Sequence, residues 1–438
     1  MKKIFLSIFS LGLLVAAKAQ ETVYPAPKQA GSTVIINATV HVGNGQVLNN
    51  ASVVITDGKI AAVGANVSVP PGATQINAQG KHVYPGIILP VSNLGLVEIG
   101  AVRASNDVRE IGDMNPEVRS LVAYNTDSKV INTLRSNGIL LANVAPQGSF
   151  VAGQSSVVQL DAWNYEDAAY KADGGLHVYM PALLPRPRFG GFGGRGGNAD
   201  QGSDPVKEGL DKIDELKSFF REAKAYHSEG AHAATNLKFE SVKNLFDKKQ
   251  KLYVHANTVK QMLVALDFVK EFGFDVVIVG GSDSWQIADL LKENNVSVIL
   301  NQPHSLPTLA DDDVDQPYKT PAALQKAGVL YSISDDDGQT RGRNIMFNAG
   351  TAATYGLTKE EALQAVTLNA AKILGVADKT GSIEVGKDAN IVISEGDILD
   401  MRTSNVTDAF IQGRKIDLTD KHKQLNERYK RKYGQKDF

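Results

Sequence analysis

Between residues 128 and 334, short apolar runs alternate with amphipathic segments, and this alternation constrains the fold more than any other feature. Repeated strand-then-helix units indicate parallel strands joined by right-handed crossovers. Periodicity alone leaves an open doubly wound sheet and a closed barrel as alternatives, and a closed barrel would place functional residues at the carboxyl ends of its strands. The predicted strands are residues 138–144, 251–255, 275–279, 296–300 and 329–334, and the predicted helices are residues 128–136, 258–271, 284–293 and 320–327.

Two stretches near the chain ends have a different, β-rich pattern. Residues 31–83 contain alternating β-branched runs, with a tight turn at Asp57-Gly58. Residues 381–393 and 406–414 also have the pattern of strands and turns. Because an isolated hairpin is only marginally stable, the two terminal sets are predicted to join into one sheet beside the α/β region.

The first nineteen residues have the three parts of a signal peptide. Lys2 and Lys3 precede the apolar run 4–17, which ends in the small-residue pattern of residues 17–19. The run is shorter than the ~20 apolar residues of a membrane span. We therefore predict cleavage after Ala19, a periplasmic or secreted location, and no membrane attachment after cleavage.

The amino-acid composition limits which nucleophiles, metal ligands and partners are possible. The chain has no cysteine, which excludes disulfides and thiolate metal ligands, and leaves oxygen, nitrogen or water as nucleophile. Its formal net charge of -2 argues against a nucleic-acid partner. A small molecule is the expected substrate or ligand.

Several phrases resemble the amidohydrolase superfamily, close to its imidazolonepropionase-like branch. They are YPGII at residues 84–88, His255 at a strand end, NAAKILG at residues 369–375, and the strand-turn phrase at residues 381–393. The resemblance implies an α/β fold in which a (β/α)8 TIM-like barrel carries a composite β-sandwich built from both chain ends. The implied segments are residues 20–84 and 378–418 for the sandwich and 85–377 for the barrel. Composition alone predicts a Gly/Pro-rich flexible excursion or lid at residues 181–205 and a basic tail at residues 419–438.

The resemblance also implies a metal site, but several ligand positions are substituted. In the family the first strand continues with an Asp, one residue, and His-x-His, and here those positions are Leu89, Val91 and Asn93. The sixth strand, which should end in His, runs into Gly280-Gly281. We expect either a reduced site with one divalent metal, zinc first, or no metal.

The remaining candidates lie at other strand ends. By resemblance, His255 is the fifth-strand metal ligand, and Asp335 is both the eighth-strand ligand and the general base, with Asp336 as the alternative if the register shifts by one residue. A catalytic zinc usually takes three protein ligands, so His304, or else His177, would complete the set. Without a metal, His255 is a hydrogen-bonded strand-end histidine and the acidic triplet a solvated turn.

Amide and guanidinium groups near the strand ends are the predicted substrate-binding residues. By resemblance, the segment around Gln147 and Gln154, which follows a strand, is a substrate-side loop, whereas its Gly, Ser and Gln content alone indicates only a tight loop. The full predicted set is Gln147, Gln154, Asn257, Arg343 and Asn344.

Two functions remain open from the sequence. In the first, metal-activated water hydrolyses a C–N bond of a cyclic amide or a related, peptide-like substrate. In the second, the protein is a catalytically degenerate member of the fold that binds a ligand or serves as partner subunit of an active paralogue. Either function is compatible with a homo-oligomer or a pair with a paralogue.

Overall fold

The computed structural model describes residues 23–148, 150–183, 204–230, 232–335 and 341–435. The predicted signal peptide, most of the Gly/Pro-rich segment and Asp336 lie outside these residues. In chain order the strands are β1 (Thr33–His41), β2 (Val47–Thr56), β3 (Lys59–Gly64), β4 (Thr74–Asn77), β5 (His82–Pro85), β6 (Ile87–Ser92), β7 (Ile139–Val144), β8 (Val151–Gln159), β9 (Ala169–Tyr179), β10 (Lys251–Ala256), β11 (Val276–Gly280), β12 (Ser297–Leu300), β13 (Tyr331–Ile333), β14 (Ile391–Ser394), β15 (Val406–Ile411) and β16 (Arg414–Lys415).

The described α-helices lie mainly between the barrel strands. They are α1 (Ser120–Ala123), α2 (Lys129–Ser136), α3 (Tyr165–Ala168), α4 (Pro205–Ser228), α5 (Leu237–Ser241), α6 (Lys243–Phe246), α7 (Val259–Phe272), α8 (Ala288–Glu293), α9 (Gln316–Ala327), α10 (Ile345–Thr354), α11 (Lys359–Ala365), α12 (Leu368–Leu374) and α13 (Lys421–Tyr433). Single 3-10 turns occur at Arg103–Ser105, Ser284–Ile287 and Arg341–Asn344.

Strands from both chain ends form one eight-stranded sheet, as the sequence predicted. Its order is β16-β15-β14-β5-β1-β2-β3, with β4 paired to β1. The ends of the chain meet where β14 runs antiparallel to β5, with Ile391 opposite Pro85. The sheet has a core of its own, which includes Ile35, Val53 and Phe410.

The second sheet is the TIM-like barrel, in the order β6 to β13. Strands β6 and β7 are parallel to each other, and β9 to β13 are parallel in succession. Its ends approach where Ser334 Oγ donates to Val91 O at 3.3 Å. This confirms the predicted fold class.

One strand departs from a regular (β/α)8 arrangement. Strand β8 runs antiparallel to both of its neighbours, β7 and β9. Only residues 145–150 join β7 to β8, and a parallel crossover needs a dozen residues or more. The segment around Gln154, which the sequence suggested to be a loop, is therefore a fully buried strand.

Helix α12 closes one end of the barrel and leaves the other end for the site. Lys251 Nζ donates to Ile373 O at 2.7 Å, and Lys171 Nζ donates to Leu374 O at 3.0 Å. Two ammonium groups thus meet the carbonyls at the carboxyl end of α12, where the helix dipole favours cations. On β10 the side chains of Lys251, Tyr253 and His255 lie on one face of the sheet. His255 is four residues beyond Lys251 and therefore lies nearer the open end of the barrel.

The described helices include none that is long and apolar enough to cross a membrane. Helix α13, within the predicted basic tail, has no buried residue. Its first turn is capped by Asp420, whose side chain accepts from the His422 and Lys423 amides.

Candidate functional site

Two histidines from neighbouring barrel strands meet inside the open end. The register of β9 and β10 aligns Tyr179 with His255 and His177 with Tyr253, so all four side chains lie on one face of the sheet. His177 Nδ1 and His255 Nε2 are 2.9 Å apart and share a hydrogen bond. The sequence named His177 only as a substitute ligand, and the structure makes it the direct partner of His255.

Aromatic rings fix the orientation of this pair. Tyr179 stacks on the His255 ring with 3.8 Å between centroids and 14° between planes. Its hydroxyl donates to Pro146 O at 3.2 Å. On the other side, Tyr253 stacks on His177 at 4.8 Å. Both imidazoles are therefore held between fixed neighbours.

Burial keeps both imidazoles neutral. Desolvation lowers the pKa of His255 from 6.5 to about 3. The pKa of His177 also falls well below its usual value, first because of burial and second because of the charge that His255 would carry. Neither ring is close to a described carboxylate that would favour the imidazolium form, so neither histidine is a strong base at neutral pH.

Asp335, the predicted general base, follows β13 and is only 5% exposed. Its Oδ1 lies 3.6 Å from Arg341 Nε, and its Oδ2 accepts from Asn348 Nδ2 at 3.3 Å. The carboxylate thus has a cation and an amide as neighbours. Arg343 and Asn344 lie in the adjoining turn, where Arg343 is exposed and Asn344 precedes helix α10.

His304 does not join His255. Its Nε2 forms a hydrogen bond with Thr351 on α10 at 3.0 Å, and its ring packs edge-on against Tyr318. It is an exposed residue of the segment that follows β12. The predicted metal set of His255, Asp335 and His304 is not assembled by these contacts.

The Gly280-Gly281 pair at the end of β11 has a packing role. Gly280 has a φ of 100° and Gly281 a φ of 58°, both in the left-handed region. A side chain on Gly280 would collide with the Asn257 Oδ1 atom, which accepts from Ser282 Oγ at 3.2 Å. Asn257 is exposed at the carboxyl end of β10, so it remains accessible to a ligand.

The two predicted glutamines lie in different settings. Gln147 accepts from Asn93 Nδ2 at 3.5 Å and lines a groove of about 690 Å³ with Arg103 and Arg109. The Oδ1 atom of Asn93 is buried and has no hydrogen bond within the part of the chain that the structure describes. Gln154, by contrast, is 6% exposed and bonds Pro116 O at 3.0 Å, so its amide is used for packing.

Asp283 is a residue that sequence reasoning missed. It is 4% exposed just beyond the β11 turn, and desolvation raises its pKa, although hydrogen bonds from Thr308 and the Val259 amide oppose the shift. The available signal was an acidic residue directly after the Gly280-Gly281-Ser282 turn at a strand end. Its bonds to two neighbouring segments tie the β11 turn to helix α7.

The described residues do not fit the divalent metal that the resemblance implies. Among them, no group of three or more His, Asp or Glu side chains is arranged to hold a metal ion. The His255 nitrogen on the inner side is already bonded to His177. A catalytic zinc site with three protein ligands is therefore not built from the described part of the chain.

Comparisons with known proteins agree with the fold. The Amidohydrolase family matches residues 211–416. Imidazolonepropionase from Mesorhizobium japonicum is 24% identical over 381 residues, covering 79% of this chain and 87% of that protein. Amidohydrolase tasK from Hapsidospora irregularis is 21% identical over 361 residues, covering 76% of this chain but 36% of that protein.

A solved structure gives the same result. The crystal structure of an amidohydrolase from Thermotoga maritima superposes with a TM-score of 0.76 at 26% identity, covering 88% of this chain and 99% of that chain. The family match, the relatives and this likeness agree with the barrel and the terminal sheet described above. These findings support an amidohydrolase superfamily, imidazolonepropionase-like assignment for the chain.

Proposed function

We propose that this protein binds a small amide-containing ligand at the open end of its barrel and does not itself hydrolyse it through a metal-activated water. The observation that carries the proposal is the hydrogen bond between His177 Nδ1 and His255 Nε2 at 2.9 Å. This bond occupies the Nε2 atom of His255, the fifth-strand histidine, with the imidazole of His177, which is 0% exposed.

The other positions of the superfamily's metal-site pattern support the same conclusion. Val91, Asn93 and Gly280 occupy places where the superfamily pattern has histidines, and none of the three can supply an imidazole. Asp335 faces the Arg341 guanidinium, with its Oδ1 atom 3.6 Å from Arg341 Nε. In this proposal the fold is kept while these three histidines, which would hold the metal, are replaced.

The ligand class follows from the polar groups at the strand ends. Gln147 and Asn257 can each donate and accept a hydrogen bond, which suits the N–H and C=O groups of an amide. The names of the relatives, imidazolonepropionase and amidohydrolase, agree with an amide or cyclic amide. A ligand with both groups in one plane would use these side chains best.

The test combines metal analysis with activity. The purified protein is loaded with zinc, manganese or cobalt, desalted, and measured for bound metal, and then for hydrolysis of dipeptides and cyclic amides with and without chelator. A catalytically active imidazolonepropionase assayed in parallel is the control. We expect substoichiometric metal and no chelator-sensitive turnover, and stoichiometric metal with turnover would overturn the proposal.

Metal-assisted C–N hydrolysis on a reduced site is the second candidate. Asp335 favours it, because a carboxylate only 5% exposed at the end of the last barrel strand is where the superfamily carries its metal-touching acid. In that case His255→Ala and Asp335→Ala should each abolish turnover and lower the metal content. The same two measurements therefore separate the two functions.

We also propose that the mature protein is exported and acts with a second subunit, either a copy of itself or a paralogue. The signal-peptide pattern of residues 1–19 supports export. Ile111 and Leu306, 91% and 86% exposed in segments that follow β6 and β12, support a contact near the open end. Amino-terminal sequencing of the mature protein and light scattering on its native complex would test these points.

A further inference from the structure

The His177–His255 pair has an unequal hydrogen-bonding environment. His177 is 0% exposed, and its second nitrogen, Nε2, is buried without a hydrogen-bond partner among the described residues. His255 keeps part of its surface accessible. Its Nδ1 makes no hydrogen bond to the described residues and is not among their buried unpartnered atoms. One end of the pair is therefore closed and the other end is open to a ligand.

Only two proton arrangements are compatible with the hydrogen bond between two neutral rings. Each neutral imidazole carries one N–H, and one of the two facing nitrogens must donate to the other. If His177 Nδ1 donates, His177 Nε2 is a bare acceptor and His255 carries its own proton on Nδ1. If His255 Nε2 donates, the proton of His177 is on Nε2, deep in the barrel.

The two arrangements differ in what is left unsatisfied inside the protein. The second leaves a buried N–H donor with no acceptor among the described residues, and for backbone groups orphaned buried donors are rarer than under-satisfied acceptors. The first leaves a buried lone pair, which is tolerated better, and places the remaining N–H of His255 where a ligand or water can accept it. Burial therefore selects the first arrangement.

We propose that His177 is a positioning residue that holds His255 in the tautomer protonated at Nδ1, so that the open end of the barrel presents an N–H donor for a carbonyl oxygen of the ligand. Because Tyr179 stacks on His255 at 3.8 Å and is anchored to Pro146, the ring cannot rotate freely to exchange its nitrogens. The ligand class is an amide or imide bound through C=O, and this part rests on the proposed function.

The tautomer can be measured without any ligand. Protein labelled with 15N-histidine, in the full mature chain at neutral pH, is examined by long-range 1H–15N correlation, which distinguishes protonated from bare ring nitrogens. We expect His255 protonated at Nδ1 and His177 also protonated at Nδ1. A His255 signal protonated at Nε2 would overturn the assignment, whatever the protein binds.

Two variants separate positioning from packing. His177→Gln keeps an N–H donor towards His255, and His177→Phe keeps an aromatic ring without one. We expect the Gln variant to retain the Nδ1-protonated form of His255 and the Phe variant to lose it. Retention of that form in a folded Phe variant would overturn the role of His177, and the wild-type spectrum remains decisive if the Phe variant does not fold.

The ligand class is tested with hydantoin, a cyclic imide, and with 2-thiohydantoin, in which sulfur, a weaker acceptor, replaces one carbonyl oxygen. We expect hydantoin to shift the His255 Nδ1 signal and to bind about 10-fold more tightly than the thio analogue, as for one hydrogen bond. No shift with hydantoin, or equal binding of the two, would overturn the carbonyl assignment. The tautomer measurement would still stand on its own, and metal-dependent turnover bears only on the proposed function.

Discussion

Arg341 Nε lies 3.6 Å from Asp335 Oδ1, so the carboxylate that ends the last barrel strand faces a guanidinium. Asn348 Nδ2 donates to the other carboxylate oxygen at 3.3 Å. The pairing belongs to the turn and helix that follow β13, and it gives Asp335 a structural role that is independent of any metal. The role can be measured through stability.

Replacing Asp335 should distinguish its charge from its hydrogen bond. Asp335→Asn keeps an acceptor for Asn348 and removes the charge that faces Arg341, which is 53% exposed, so we expect a cost of about 1 kcal/mol or less. Asp335→Ala leaves the Asn348 amide without its partner and should cost about 1–3 kcal/mol. Urea unfolding checks the order, and equal costs would contradict it.

Asp161 joins three parts of the chain and should be far more sensitive. This carboxylate is 1% exposed, and it accepts from Arg135 Nη1 at 2.5 Å, from Arg414 Nη1 at 2.8 Å and from the Ala26 amide at 2.9 Å. Asp161→Asn leaves the buried Arg135 charge without its counter-ion and should cost about 3–5 kcal/mol. Thermal unfolding would show this.

The matched control for Asp161 is Asp173→Asn. Asp173 pairs with Arg119, which is 46% exposed, so the same chemical change should cost only about 0–1 kcal/mol. A loss of equal size in both variants would mean that burial does not determine the effect.

The buried histidines predict a pH dependence of stability. The folded-state pKa of His255 is about 3, against 6.5 in the unfolded chain, because burial disfavours the charged ring. Below about pH 6.5 the unfolded state therefore binds the additional proton, and folding stability falls as pH decreases towards the folded pKa. The slope contributed by this histidine approaches about 1.4 kcal/mol per pH unit within that window.

Urea unfolding of wild type and His255→Gln at a series of pH values below neutral measures this slope. The variant should lose less stability on acidification than wild type, by up to about 1.4 kcal/mol per pH unit, because only the contribution of His255 is removed. His304→Gln, at an exposed histidine bonded to Thr351, is the control and should keep the wild-type slope. Parallel curves for wild type and His255→Gln would refute the assignment.

Gly280→Ala tests whether the glycine at the sixth strand end is now required. The added methyl group meets both a positive φ and the Asn257 side chain. Gly273 ends helix α7 with a φ of 72°, and no atom lies within 4 Å of a Cβ added there. The control variant Gly273→Ala therefore introduces the backbone strain without the collision. We expect Gly280→Ala to cost at least about 1 kcal/mol more by calorimetry, and equal costs would show that Asn257 moves freely.

Much of the fold could be predicted because it depends on local pattern. The predicted helix at residues 258–271 is α7 with its Thr258–Gln261 capping box, and the predicted strand before it is β10. Hydrophobic periodicity and caps are properties of neighbouring residues, so a single sequence contains them. The position of His255 at a strand end followed directly.

Two features were beyond a local reading. The direction of β8 depends on the short β7–β8 connection and on pairing with β9, and its Gly, Ser and Gln content concealed a buried strand. Likewise, from the sequence His304 is the first candidate for the third metal ligand, and His177 only the alternative. Nothing local distinguishes these two histidines.

The sequence by itself determined the strand and helix segments and the joining of the two chain ends into one sheet, and it placed Val91, Asn93 and Gly280 at the ends of barrel strands. Only the tertiary structure decided which side chains meet. His177 and His255 are separated by 78 positions and touch because β9 and β10 pair in a register that puts them on one face. Register and strand order arise from packing of the whole barrel, which no single segment contains.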